Sequence, residues 1–158
     1  MTICQSNAIL RMLGTRTGMY SQDADTMWQI DSLLDYMEEM WIKANAFGVL
    51  TIFGKEPTEE TPELWKAYWE KMVPFLAGRL EKHDKKWISG TEAMTIADLK
   101  CYQTFVLMLE NVNNPTPHEM LEFARHKIAE HPRLAQYVRD LSAEMMPWTS
   151  ARKSQHSF

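Results

Sequence analysis

From Met27 to Ala44 apolar side chains return at steps of three and four: Met27, Ile30, Leu34, Met37, Trp41 and Ala44. That spacing draws a stripe along one face of an α-helix. Asp31, Asp35, Glu38 and Glu39 fall on the opposite side. Asp23 and Asp25 stand at its start, where carboxylates suit the positive end of the helix dipole. A second stripe, Trp65, Tyr68, Trp69, Met72, Phe75, Leu76 and Leu80, follows Thr61-Pro62-Glu63. There Thr61 is the expected cap and Pro62 takes the first-turn position it tolerates. Pro74 lies inside this helix and predicts a kink, because one backbone bond is lost. The run from Ile96 is apolar nearly all round: Leu99, Cys101, Tyr102, Phe105, Val106, Leu107, Leu109 and Val112. A helix of that kind is wrapped by others.

Shorter pieces complete the pattern. A helix is expected to open at Ser6, capped by its hydroxyl, and to close at the left-handed Gly14. Thr95 and Asp98 stand at capping-box spacing before the central helix, and Thr116 and Glu119 do the same around Pro117. His131-Pro132 breaks the chain before a sixth helix carrying Leu134, Tyr137, Val138 and Leu141. Val49-Leu50-Thr51-Ile52-Phe53 reads as a last turn or an irregular link. From Pro147 the periodicity is lost, and Trp148 is the side chain able to anchor a tail. No run alternates in the manner of a strand. The pattern predicts an all-α fold, a bundle of about six helices with a kinked long hairpin and a buried central helix.

Composition narrows the function classes without choosing one. A chain of 158 residues, 45% apolar and 24% charged, suits one globular domain. A net charge of -4 gives no general reason to expect nucleic acid or an anionic membrane as partner. No stretch approaches the ~18 apolar residues of a spanning helix. Cys4 and Cys101 form neither a disulfide framework nor a ligand set. His83, His118, His126, His131 and His156 lack the i,i+4 pairing of a helical metal site, so no metal is expected. Tyr20, Tyr36, Tyr68, Tyr102 and Tyr137 are read as core or rim residues.

Three stretches resemble the cytosolic glutathione S-transferases of the sigma and mu types. Cys4 to Arg11 resembles the Q-S-x-A-I-x-R segment that ends that family's thioredoxin-like domain. Trp87 to Leu99 resembles the G-x-x-x-T-x-A-D loop and cap that begin its central helix. His131 to Tyr137 resembles the proline break between two late helices. The resemblance runs from Gln5 to about Leu141 and implies three parts: 1–14, the last helix of a thioredoxin-like domain; 15–146, the all-helical C-terminal domain; 147–158, a tail.

The resemblance also assigns sites. Gln5 and Ser6 match the pair that binds the γ-glutamyl end of glutathione, or else Ser6 is simply a helix cap. Asp31 matches the acid that reaches across a dimer to the neighbour's glutathione ammonium group, or else is a solvated carboxylate. Thr95, Asp98, Thr116 and Glu119 are structural caps. The family's βαβ segment, its thiol-activating residue and its cis-proline loop have no counterpart here, so no catalytic residue is assigned. The expected function is a non-catalytic helical interaction module in a homodimer or a larger assembly. The alternatives are a fragment of an active glutathione transferase and a carrier of apolar ligands. No cofactor is expected, glutathione excepted should its site survive, and the setting expected is cytoplasmic.

Overall fold

The computed structural model describes residues 5–46, 58–110 and 116–151. These form six helices: α1 (Ser6–Thr17), α2 (Ala24–Ala46), α3 (Thr61–Leu80), α4 (Ile96–Tyr102), α5 (His118–Ala129) and α6 (Pro132–Ser150). No strand occurs among the described residues. Cys4, Val49–Phe53, Val112 and the last seven residues of the expected tail lie outside them.

The core is built from the two long stripes and the central helix. α2 buries Ile30, Leu33, Leu34, Met37 and Met40, one residue further round than the expected stripe, with Met27 and Trp41 half-buried. α3 buries Trp65, Tyr68, Trp69, Met72, Val73, Leu76 and Leu80. Phe75 departs from expectation: it is 41% exposed and lies 4.1 Å, centroid to centroid, from the Tyr36 ring. Trp65 stacks on Tyr68 and meets Trp69 edge-on, and Trp69 reaches Phe105. Trp65 also donates its indole N–H to the Met120 carbonyl at 2.8 Å, tying α3 to α5. α4 sits at the centre and passes without a break into a π-helical stretch, Gln103–Met108.

Several boundaries differ from the sequence reading. α1 does not stop at Gly14. That glycine is buried inside the helix, where a Cβ would lie 2.7 Å from Ile96 Cγ2 and 3.0 Å from Tyr20 Cβ. It is glycine because α4 passes so close, while the left-handed closing role falls to Gly18 at φ 78°. Ser6 is the first helical residue and does not cap; Gln5 holds that position, at φ 71°, without a side-chain cap bond. Thr61 is likewise inside α3, with Glu60 before it, and its hydroxyl accepts the Thr58 N–H at 2.8 Å. α5 begins at His118 with Pro117, at ψ 138°, just before it, so Thr116 stands one residue further from the helix than expected. Glu119 remains in the first turn. α6 runs on through Pro147 to Ser150, its last turn secured by Thr149 Oγ1 on the Met145 carbonyl at 3.1 Å. The divisions expected after residues 14 and 146 thus fall inside α1 and α6.

Candidate functional site

α1 and α2 are joined by one polar cluster. Arg11 Nε donates to Asp31 Oδ1 at 2.7 Å, and its Nη2 donates to Asp35 Oδ1 at 3.2 Å. Tyr20, on the loop between the helices, donates its hydroxyl to Asp31 Oδ2 at 2.8 Å. Both oxygens of Asp31 are therefore engaged inside the chain. The Asp31 carboxylate holds the Arg11 guanidinium above its ordinary pKa, and burial with the same carboxylate raises the Tyr20 phenol. Asn7 adds a bond from Nδ2 to the Leu34 carbonyl at 3.2 Å. Gln5 and Ser6 are exposed at the start of α1 and make no bond to Asp31. Spacing alone could not pair Arg11 with Asp31, because the two are brought together by the packing of α1 on α2.

A second polar cluster fixes the start of α4. Both legs of the Thr95–Asp98 capping box are present. Asp98 Oδ2 accepts the Thr95 N–H at 2.8 Å and the Thr95 hydroxyl at 2.9 Å. Oδ1 accepts the Ile88 N–H at 3.1 Å and the Tyr137 hydroxyl at 2.8 Å. One carboxylate so ties the 87–95 loop and α6 to the central helix. Burial dominates and raises the Asp98 pKa, although these four bonds favour the charged form. The same burial raises Tyr137 and pushes the Cys101 thiol up to about 12. Neither is a candidate nucleophile. The Ile96 N–H bonds the Met19 carbonyl at 3.0 Å, joining this cluster to the loop after α1.

Two further features lie along α4. Lys100 is almost wholly buried and donates to Glu38 Oε2 of α2 at 2.6 Å, an ion pair the sequence did not disclose. On another side Leu99, Tyr102, Gln103 and Leu107 face Met145 and Trp148 of α6 across a groove of about 460 Å³. Trp148 contributes to this wall but does not close it, being 54% exposed. Among the described residues no group of three or more His, Cys, Asp or Glu is placed to hold a metal ion. No described helix is long and apolar enough to cross a membrane.

Residues 45–140, most of the helical bundle including the Asp98 cluster, match the family model for the glutathione S-transferase C-terminal domain. The chain belongs to the glutathione S-transferase family. S-crystallin SL11 of Nototodarus sloanii is 24% identical to it over 141 residues, a match covering 85% of this chain and 66% of that protein. This chain thus spans just under two-thirds of its curated relative. The glutathione S-transferase of Ascaris lumbricoides superposes with a TM-score of 0.74 at 19% identity, over 98% of this chain and 71% of that one. A monomeric glutathione S-transferase of Necator americanus gives 0.77 at 18% identity, over 99% and 71%. At such identities the solved transferases speak for the fold. Within that transferase fold, Asp31 is fastened by Arg11 and Tyr20, and Gln5 and Ser6 stand apart from it.

Proposed function

We propose that this chain is a non-catalytic helical module of the glutathione S-transferase type, working through contacts with other protein chains in a homodimer or larger assembly. The observation that carries this reading is the engagement of Asp31 inside the chain, where it is ion-paired with Arg11 and accepts the Tyr20 hydroxyl. With the Arg11 guanidinium already balancing its charge, this carboxylate offers less to a ligand's ammonium group than a free one would. The tyrosines point the same way. Tyr20, Tyr36, Tyr68 and Tyr137 are all raised, each first by burial, and a hydroxyl recruited to stabilise a thiolate works better as its own pKa falls. Large apolar side chains meanwhile reach solvent on the first three helices, at Leu13, Trp28, Ile42 and Phe75. Side chains of this kind are characteristic of surfaces that meet a partner.

The test is calorimetric titration of the purified chain with glutathione, beside an assay for conjugation of a generic electrophile. Neither binding in the micromolar range nor turnover is expected, and either one overturns the reading. The groove between α4 and α6 favours a second reading, a carrier of small apolar ligands, since its volume and lining suit such a molecule. Titration with a neutral naphthylamine dye tests it, and a signal unchanged by Leu107→Arg rejects that groove.

A further inference from the structure

The groove between α4 and α6 has one straight wall, and the backbone makes it so. Leu99, Gln103 and Leu107 stand four residues apart along that wall. In an α-helix four residues overshoot a full turn by about 40°, so a row at this spacing winds away from any one face. From Leu99 to Gln103 the chain is α-helical and overshoots in this way. From Gln103 to Leu107 it is π-helical. A π-turn closes with i→i+5 bonds, so four residues fall short of completing it. The two deviations offset each other, and all three side chains line the groove. Such π-helical insertions recur at functional sites.

Gln103 is the odd member of this lining. Leu99, Leu107, Met145 and Trp148 present apolar surface, and Tyr102 is almost wholly buried behind them. Gln103 is half-buried between the two leucines, and among the described residues its carboxamide has no hydrogen-bond partner. A carboxamide carries two N–H donors and an acceptor oxygen side by side. Water serves these groups while the groove is open. A wholly apolar ligand strips that water and returns nothing, which leaves a desolvated amide. A ligand that brings its own adjacent donor and acceptor restores both bonds. Across the groove, Trp148 offers an aromatic surface and Met145 a thioether to a flat ring. A volume of about 460 Å³ accommodates a two-ring compound.

Resting on the carrier reading of this groove, we propose that it takes a neutral, planar aromatic carboxamide. The ring lies along Leu99 and Leu107 against Trp148. The ligand's carbonyl oxygen accepts from the Gln103 amide, and its N–H donates to the Gln103 side-chain oxygen. The apolar walls supply affinity, and the one amide supplies selection. Charged ligands are disfavoured, because no ionisable acid or base lines the groove to balance them.

The test is displacement of a neutral naphthylamine dye from the full chain by 2-naphthamide and by N,N-dimethyl-2-naphthamide. The second compound keeps the ring and the carbonyl but has no N–H to donate. The wild type is expected to favour 2-naphthamide by about tenfold, the worth of the paired amide bond. Gln103→Leu is expected to hold the dye at least as tightly as the wild type and to lose most of that preference. Gln103→Met, closer in shape, is expected to do the same, and circular dichroism establishes that each variant folds. Equal displacement by the two compounds in the wild type overturns the proposal. So does a preference that survives in either folded variant. Dye that binds without any amide preference leaves the carrier reading standing, whereas a chain that binds no dye removes that reading and this proposal together.

Discussion

Replacing Tyr137 by Phe keeps the ring and nearly all the volume of a side chain that is wholly buried, and deletes one hydroxyl. That hydroxyl donates to Asp98 Oδ1 at 2.8 Å, and Asp98 is itself inaccessible. A hydrogen bond to a charged acceptor contributes about 1.5–3 kcal/mol, and no water can reach the vacated position easily. We therefore expect Tyr137→Phe to cost about 2 kcal/mol near neutral pH, a fall in Tm of roughly 4–8 °C for a domain of this size. The pH dependence follows from the direction of the Asp98 shift. Its folded pKa stands above the unfolded one, so within that window the native state holds a proton the unfolded chain has released. Stability contributed by this group is thus greatest in acid and declines as pH rises through the folded pKa. The Tyr137 bond is among those pulling the folded pKa back down. Its loss extends the window upward, so the deficit of the variant grows with rising pH and shrinks on acidification. Urea unfolding followed by circular dichroism at several pH values measures both. A deficit below about 0.5 kcal/mol, or one that does not change with pH, refutes this account of the Asp98 cluster.

Other substitutions probe other links in the bundle. Gly14→Ala forces a Cβ to within 2.7 Å of Ile96 Cγ2 and should cost about 1–3 kcal/mol in thermal or urea unfolding, despite the better helix former. Gly18→Ala meets no neighbour but must hold φ 78°, so a loss of about 1–2 kcal/mol is expected there from backbone strain alone. Trp65→Phe removes the indole N–H that ties α3 to the Met120 carbonyl of α5 and opens space beside Trp69. A loss of about 1–3 kcal/mol is expected, together with faster amide exchange in α5. Glu38→Gln should destabilise more than Lys100→Met: the first strands a buried ammonium, while the second frees a carboxylate that already reaches water. Chemical denaturation of the two variants side by side decides that order.

What the sequence disclosed and what it withheld divide along one physical line. Periodicity placed α2 and α3 and the buried central helix, because burial of an apolar stripe is a local property of spacing. The Thr95–Asp98 box was legible for the same reason, since both partners lie within one turn. The start of α5 falls one residue later than the spacing suggested, after the extended backbone of Pro117. Gly14 and Gly18 were exchanged because a glycine can serve either a left-handed turn or a close approach. Only the position of Ile96, far along the chain, separates the two uses. The π-helical stretch Gln103–Met108 has no signature in apolar spacing, and α6 continues past Pro147 to Ser150 although its periodicity is lost there.

The acids of α2 show most clearly why site assignment is harder than fold assignment. Asp31, Asp35, Glu38 and Glu39 all fall opposite the apolar stripe, yet Asp31 binds Arg11 and Tyr20, and Glu38 neutralises the buried Lys100. Each of these bonds spans two elements, so each exists only once the helices have packed. That order of events bears on function. A carboxylate already paired with a cation inside the chain has less charge to offer a ligand, and Asp31 is paired with Arg11 in this way. Asp35 and Glu39 remain largely in solvent, on the strip that carries Trp28 and Ile42. On the proposed reading, this mixture of solvent-facing carboxylates and exposed apolar side chains is the part of α2 that meets a protein partner.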